Sequence, residues 1–145
     1  MKITSSAFDD NQPIPSKYAY KSGNLCPPLT FFDVPKNAKS LALIVHDPDV
    51  PVGDYTHWIL WDLDPKTGEI SCDELPIGAV QGTNDFGNTH WDGPAPPNGT
   101  HRYVFALYSM DKKLDLPSSC VRPELEAAML GHIQASAQLT GTYSV

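Results

Sequence analysis

Ser40-Leu41-Ala42-Leu43-Ile44-Val45-His46, running straight into Asp47-Pro48-Asp49-Val50-Pro51, is the stretch on which the fold turns. Its first seven residues are nearly all apolar and become β-branched towards the end. The Asp-Pro pair then stops the run abruptly. A short apolar run bounded by a turn signal predicts a strand buried on both faces.

Working outward, Thr56 to Leu63 alternates more visibly and is closed by the strong turn sequence Asp64-Pro65-Lys66-Thr67-Gly68. A third strand is expected from His101 to Tyr108, with Tyr103, Phe105 and Leu107 on the face that carries His101. In the tail, Ile133, Ala135, Ala137, Leu139, Gly141 and Tyr143 alternate with polar residues, the pattern of a long half-buried strand. Between these two, Pro123 suits the first position of a helix. Glu124 and Glu126 favour the positive end of its dipole, Leu125, Ala128, Met129 and His132 share one face, and Gly131 is a stop. The first forty residues offer only short strands between turn signals such as Pro13-Ile14-Pro15 and Ser22-Gly23-Asn24.

Fourteen prolines and ten glycines in 145 residues are too many for a helical bundle. No repeat, linker or low-complexity segment divides the chain. The reading is therefore one mainly β domain over residues 1–145, built of packed antiparallel sheets with one short late helix.

The formal net charge is −7 and the ten basic residues are scattered, so there is no footprint for nucleic acid or an anionic membrane surface. No apolar run approaches the ~18 residues of a membrane helix, which leaves no stable membrane insertion. Met1 to Ser6 leads into no apolar stretch, so no signal peptide is expected. Cys26, Cys72 and Cys120 are odd in number and widely spaced, with no zinc-type pairing. A cytoplasmic protein with reduced thiols is the expectation.

Two motifs carry chemistry. The first is Asp47 to Pro51 followed by Thr56-His57-Trp58. The second is Gly93-Pro94-Ala95-Pro96-Pro97-Asn98-Gly99-Thr100-His101-Arg102-Tyr103. Each joins a stiff Pro/Gly loop to the edge of an apolar strand, and each delivers a histidine one residue into that strand. Taken singly, Asp47 and Asp49 are turn formers and His57 is a core histidine with satisfied nitrogens. Taken together, the two motifs predict a pocket of two imidazoles, two carboxylates and the Tyr103 phenol. The Gly93–Gly99 loop offers backbone amides to an anion without needing Lys or Arg, and Arg102 points the other way. One Asp must be screened by a histidine if the ligand is a phosphate. Two Asp and two His can in principle hold a metal, but they lack the short-range spacing of a metal signature, so no metal or cofactor is assigned. No nucleophile elbow, zinc helix or phosphate loop is present.

These motifs, with Gly82-Thr83-Asn84-Asp85-Phe86-Gly87, Ile14-Pro15, Pro27-Pro28-Leu29, Val34-Pro35 and Tyr108-Ser109-Met110-Asp111, resemble the phosphatidylethanolamine-binding protein family, and its short bacterial Raf kinase inhibitor-like branch most. The likeness covers nearly the whole chain. It implies a Greek-key-like fold of packed sheets with one or two short peripheral helices. It also implies a pocket for phosphate or a phosphoethanolamine-like lipid headgroup formed by Asp47, Asp49, His57, His101 and Tyr103, walled by Gly93, Pro96 and Pro97. A homodimer is a further implication. Val50, His46 and Trp91 depart from the family pattern, and the Pro97–His101 segment is shorter than usual. The chain closes without the C-terminal helix of longer eukaryotic relatives, so kinase regulation is not carried over. The reading is a non-catalytic binding protein for a small anionic ligand. A hydrolase using the His/Asp pocket and an interaction module that inhibits a kinase or protease are the alternatives.

Overall fold

In a computed structural model that describes residues 1–145, nine strands and one helix follow one another along the chain. The strands are β1 (Lys2–Thr4), β2 (Gln12–Pro13), β3 (Leu29–Phe32), β4 (Ser40–Asp47), β5 (Tyr55–Leu63), β6 (Glu69–Ile70), β7 (Val80–Gln81), β8 (Thr100–Met110) and β9 (Ile133–Ser144). The helix, α1, spans Arg122–Met129, and a 3-10 turn covers Ser16–Tyr18. A six-stranded sheet has the order β2-β9-β8-β4-β5-β7, and a three-stranded sheet the order β1-β3-β6. All pairings are antiparallel except the two-residue β2–β9 contact.

The apolar run that opened the sequence reading is β4, and it is buried on both faces. Leu41, Leu43 and Val45 join Trp58, Leu60, Phe105 and Leu107 in the main core, which the small sheet covers with Ile3, Leu29, Phe31 and Ile70. Ala42 and Ile44 look the other way and meet Ile59, Trp61 and Met110 beneath Leu125 and Met129 of α1. Each large apolar side chain buried this way contributes about 2 kcal/mol relative to exposure, which makes β4 the keystone of both cores.

The helix begins one residue before Pro123, with the Val121 amide donating to Glu124 Oε1, and Gly131 just beyond its end has φ 84°. No helix is long and apolar enough to cross a membrane. The cysteines depart from expectation: Cys26 and Cys72 form a disulfide, and Cys120 alone stays free and buried. Forty-six residues separate the paired cysteines, and only the tertiary fold brings them together.

Two irregularities in β5 decide where its side chains go. Leu41 pairs with Leu63 but Leu43 with Leu60, which leaves an extra residue near Asp62, whose φ is 55°. Asp62 turns its carboxylate onto the Leu114 and Asp115 amides and pins the connection to α1. At the other end, Val45 pairs with Trp58 but His46 with Thr56, so His57 is the extra residue of a bulge. A bulge re-aims its side chain, and His57 shares the main-core face with Trp58 instead of alternating away from it.

Candidate binding site

The bulge delivers His57 to a small cavity at the end of the main core. Its volume is about 200 Å³, and Asp47, Val50, Tyr55, His57, Phe86, Ala95 and Pro97 line it. Asp47 and Tyr55 are cross-strand partners at the ends of β4 and β5, so they share this face.

Asp47 is 2% exposed, and its two oxygens have different partners. Oδ1 accepts from the Asp49 amide at 2.8 Å, and Oδ2 accepts from His101 Nδ1 at 2.6 Å. His101, on β8, therefore stands behind Asp47 and does not line the cavity. Asp49 lies outside it too. Its carboxylate accepts from the Arg102 backbone amide and from Arg102 Nε and Nη2, at 2.8, 2.9 and 2.7 Å. That forked contact to Arg102 holds the Asp49 carboxyl down at about 2, below its ordinary range. Arg102 points away from the cavity, as its place on β8 requires, yet it has a definite partner. Each carboxylate is thus separately countered, Asp47 by His101 and Asp49 by Arg102.

His57 donates from Nδ1 to the Asp92 carbonyl at 2.7 Å. A carbonyl can only accept, so in the neutral ring the lone pair sits on Nε2. Burial pushes its pKa below the ordinary value of 6.5, opposed by the Asp92 and Gly93 carbonyls and by Asp47. Around the imidazole stand three rings, Tyr55, Phe86 and Tyr103, with centroids at 5.5, 5.3 and 5.2 Å. Phe86 in turn stacks on Tyr20 at 4.8 Å.

Tyr103 is 1% exposed and its hydroxyl has no hydrogen-bond partner. Burial raises its pKa well above the ordinary phenol range, and the nearby Asp47 carboxylate adds to this. The Ala95 amide is close enough to oppose the shift. The orphan hydroxyl therefore sits beside two residues of the cavity wall. Tyr103 itself does not line the cavity, so of Asp47, Asp49, His57, His101 and Tyr103 only Asp47 and His57 reach it.

Gly93 and the prolines divide their duties. Gly93 does not line the cavity. A Cβ there would lie 1.9 Å from the Tyr18 carbonyl oxygen, so glycine is what lets two backbones meet. Pro97 lines the cavity, whereas Pro96 faces a neighbouring groove of about 600 Å³ that Pro97 shares with Lys21 and Tyr143.

A polar clamp beneath His57 escaped the sequence reading. The Asp92 carboxylate, 1% exposed, accepts from Asn24 Nδ2 at 3.1 Å, Asn84 Nδ2 at 2.8 Å and Asn88 Nδ2 at 2.9 Å. Asn84 Oδ1 takes the Phe86 and Asn88 amides, and Asn24 Oδ1 takes the Gly93 amide. The same network therefore fixes the carbonyl that orients His57 and the loop that presents Phe86. Tyr55, Phe86, Val50 and Ala95 were also missed as lining residues. Val50 and Ala95 lie inside the two motifs and Tyr55 is two residues before His57, so proximity was a usable signal. Phe86 gave none beyond its place in the Gly82–Gly87 segment.

The family model described as phosphatidylethanolamine-binding protein matches residues 4–144. The chain belongs to that family. It is 41% identical over 148 residues to a UPF0098 protein of Methanothermobacter thermautotrophicus, covering 99% of this chain and 98% of the relative. It is 43% identical to a UPF0098 protein of Chlamydia trachomatis, with the same coverage. The crystal structure of a phosphatidylethanolamine-binding protein homologue from Chlamydia trachomatis superposes with a TM-score of 0.93 at 42% identity, covering 99% of this chain and 97% of that one. That of E. coli YbcL, described as a new member of the mammalian family, also gives 0.93, at 28% identity and 99% and 98% coverage. The mainly β fold with little helix is thus that of the family.

Proposed function

We propose that this phosphatidylethanolamine-binding protein family member binds a small phosphorylated ligand of the phosphoethanolamine kind in the Asp47–His57–Phe86 cavity. The observation that carries the reading is a cavity of head-group size whose wall holds the buried Asp47 carboxylate and an uncommitted nitrogen of His57. A phosphate oxygen can accept from the Ala95 amide on the wall, and an ammonium group can sit against Asp47 and the faces of Tyr55 and Phe86. The volume of about 200 Å³ suits a head group and not a drug-sized molecule. Gly93, Pro96, Asp49 and His101 act in this reading by shaping the loop and holding Asp47, not by touching the ligand. The Cys26–Cys72 disulfide weighs against a cytoplasmic site of action, because such bonds persist mainly in oxidising compartments.

An NMR titration of the imidazole signals with phosphoethanolamine tests it. The expected result is a saturable shift of His57 with His46, His90 and His132 unmoved, and a phosphoethanolamine affinity by calorimetry at least about tenfold weaker in His57→Leu protein. An unmoved His57 signal, or equal affinity in the variant, sinks the assignment.

A further inference from the structure

The cavity wall is rich in lone pairs and poor in protons. Asp47 offers only lone pairs, and the Nδ1 proton of His57 is already committed to the Asp92 carbonyl, leaving a bare Nε2. The Tyr55 hydroxyl is spent on the Asp85 carbonyl at 3.1 Å. Val50, Phe86 and Pro97 complete the wall with apolar surface, and neither Lys nor Arg lines it. The Tyr103 hydroxyl is buried behind the wall and does not line it, which leaves backbone amides such as that of Ala95 as the donors there. A fully ionised phosphate brings three more sets of lone pairs to such a wall and meets the Asp47 charge.

Resting on the reading of this cavity as a phosphate site, we infer that it accepts a phosphate monoester together with one proton, placed between a phosphate oxygen and His57 Nε2, and discriminates against phosphodiesters. A monoester has a second ionisation near pH ~6 and can carry a P–OH that donates to Nε2. A diester has no such proton at any physiological pH. An intact phosphatidylethanolamine head group is a diester and falls in the rejected class.

The groups that bear on His57 come from every side. Asp47 closes β4, Tyr55 lies on β5, Tyr103 on β8, and Asp92 on the loop before Gly93. Only the two carboxylates are charged. They favour a proton on the ring, but burial outweighs them, so above pH 6.5 the ring meets the ligand mostly unprotonated. The shared proton is then the P–OH of the monoester monoanion, which a diester cannot form. At a pH above the second ionisation, the complex therefore holds one proton more than its free components.

The probes are methyl phosphate and dimethyl phosphate, titrated against the whole protein by following His57 between about pH 6 and pH 8. They are close in size, and near the low end of that range much of the methyl phosphate bears the same single charge as dimethyl phosphate. Any difference there is due to the proton. Methyl phosphate is expected to bind about tenfold more weakly for each pH unit above the second ionisation. Dimethyl phosphate should be at least about tenfold weaker at the low end. Equal affinity of the two esters, or a flat pH response for methyl phosphate, overturns the inference and leaves the phosphate site standing. If neither ester moves the His57 signal, the phosphate reading falls and the inference falls with it.

Discussion

His101 and His57 arrive by matching routes, each one residue or so into a strand after a stiff loop, yet the structure gives them opposite work. His101 Nδ1 meets a carboxylate at 2.6 Å, and His57 Nδ1 meets a backbone carbonyl at 2.7 Å. The first contact holds a buried charge in place. The second fixes a tautomer without supplying any charge, and so leaves His57 free to answer to a ligand. What separates two similar histidines is the partner on Nδ1, and that partner is set by strand register.

The largest effects should come from breaking the His101 half. His101→Leu strips the Asp47 carboxylate of its buried partner, a loss that typically costs about 3–5 kcal/mol. His57→Leu forfeits one hydrogen bond to a carbonyl and should cost only about 1 kcal/mol while abolishing ligand binding. Urea unfolding of the two variants, run beside a binding assay, checks both. If His57→Leu is the less stable of the two, the division of labour is wrong.

The His57 half has its own support, and it can be attacked at a distance. Asn24, two residues from Cys26, reaches both the Asp92 carboxylate and the Gly93 amide. Cys72→Ser removes a cross-link spanning 46 residues, with an expected loss of about 2–4 kcal/mol. Under native conditions the variant should also shift the His57 imidazole signal and leave that of His132 in place. A variant as stable as the parent would show that the disulfide contributes little to the folded state.

How much of this the sequence foretold follows the same physical line. β5, β8, β9 and α1 were legible because burial stamps a period on the chain, plain in Ile133 to Tyr143, and β4 because Leu41 to Val45 is an unbroken apolar run. The two Pro/Gly motifs carried the pocket residues, of which Asp47 and His57 line the cavity while Asp49, His101 and Tyr103 do not. The His57 bulge was not legible, since it exists only in the register between two strands. The Asp92 clamp and the Cys26–Cys72 bond were hidden for the same reason: each joins segments that are adjacent only in the fold. Phe86 entered only through the likeness of the Gly82–Gly87 segment, and nothing in the sequence showed that its ring packs against His57.

Acid should sharpen the contrast between the halves. His57 is held below its ordinary value of 6.5 in the fold, so the unfolded chain binds the proton more readily. Its stability contribution is present above that value and is lost as the pH falls through the folded pKa. Asp49, ordinarily near 3.8 and here about 2, contributes in the same sense over a lower window, present above 3.8 and lost as the pH falls towards 2. Equilibrium unfolding across this range should show two successive losses. His57→Leu should erase the upper one and Asp49→Asn the lower.

The smallest effect tests the comparison at its finest grain. Asp47 and Asp49 flank Pro48, and both carry a cationic or hydrogen-bonding partner, but their surroundings differ. The Asp47 side chain is 3% exposed, whereas Arg102 opposite Asp49 is 59% exposed. An ion pair in contact with water is screened, and its loss costs about 0–1 kcal/mol even with a forked geometry. Asp49→Asn should therefore unfold within about 1 kcal/mol of the parent and leave phosphoethanolamine affinity unchanged, because Asp49 does not line the cavity. Asp47→Asn keeps the shape and the acceptor for His101 but removes the charge facing the ligand, so the ammonium end should lose its partner and affinity should fall. Comparing the two variants with phosphoethanolamine and with methyl phosphate separates the effects. Loss at Asp47 confined to the amine-bearing ligand places its carboxylate against the ammonium. Equal loss at Asp49 would mean that the loop, and not the wall, determines what binds.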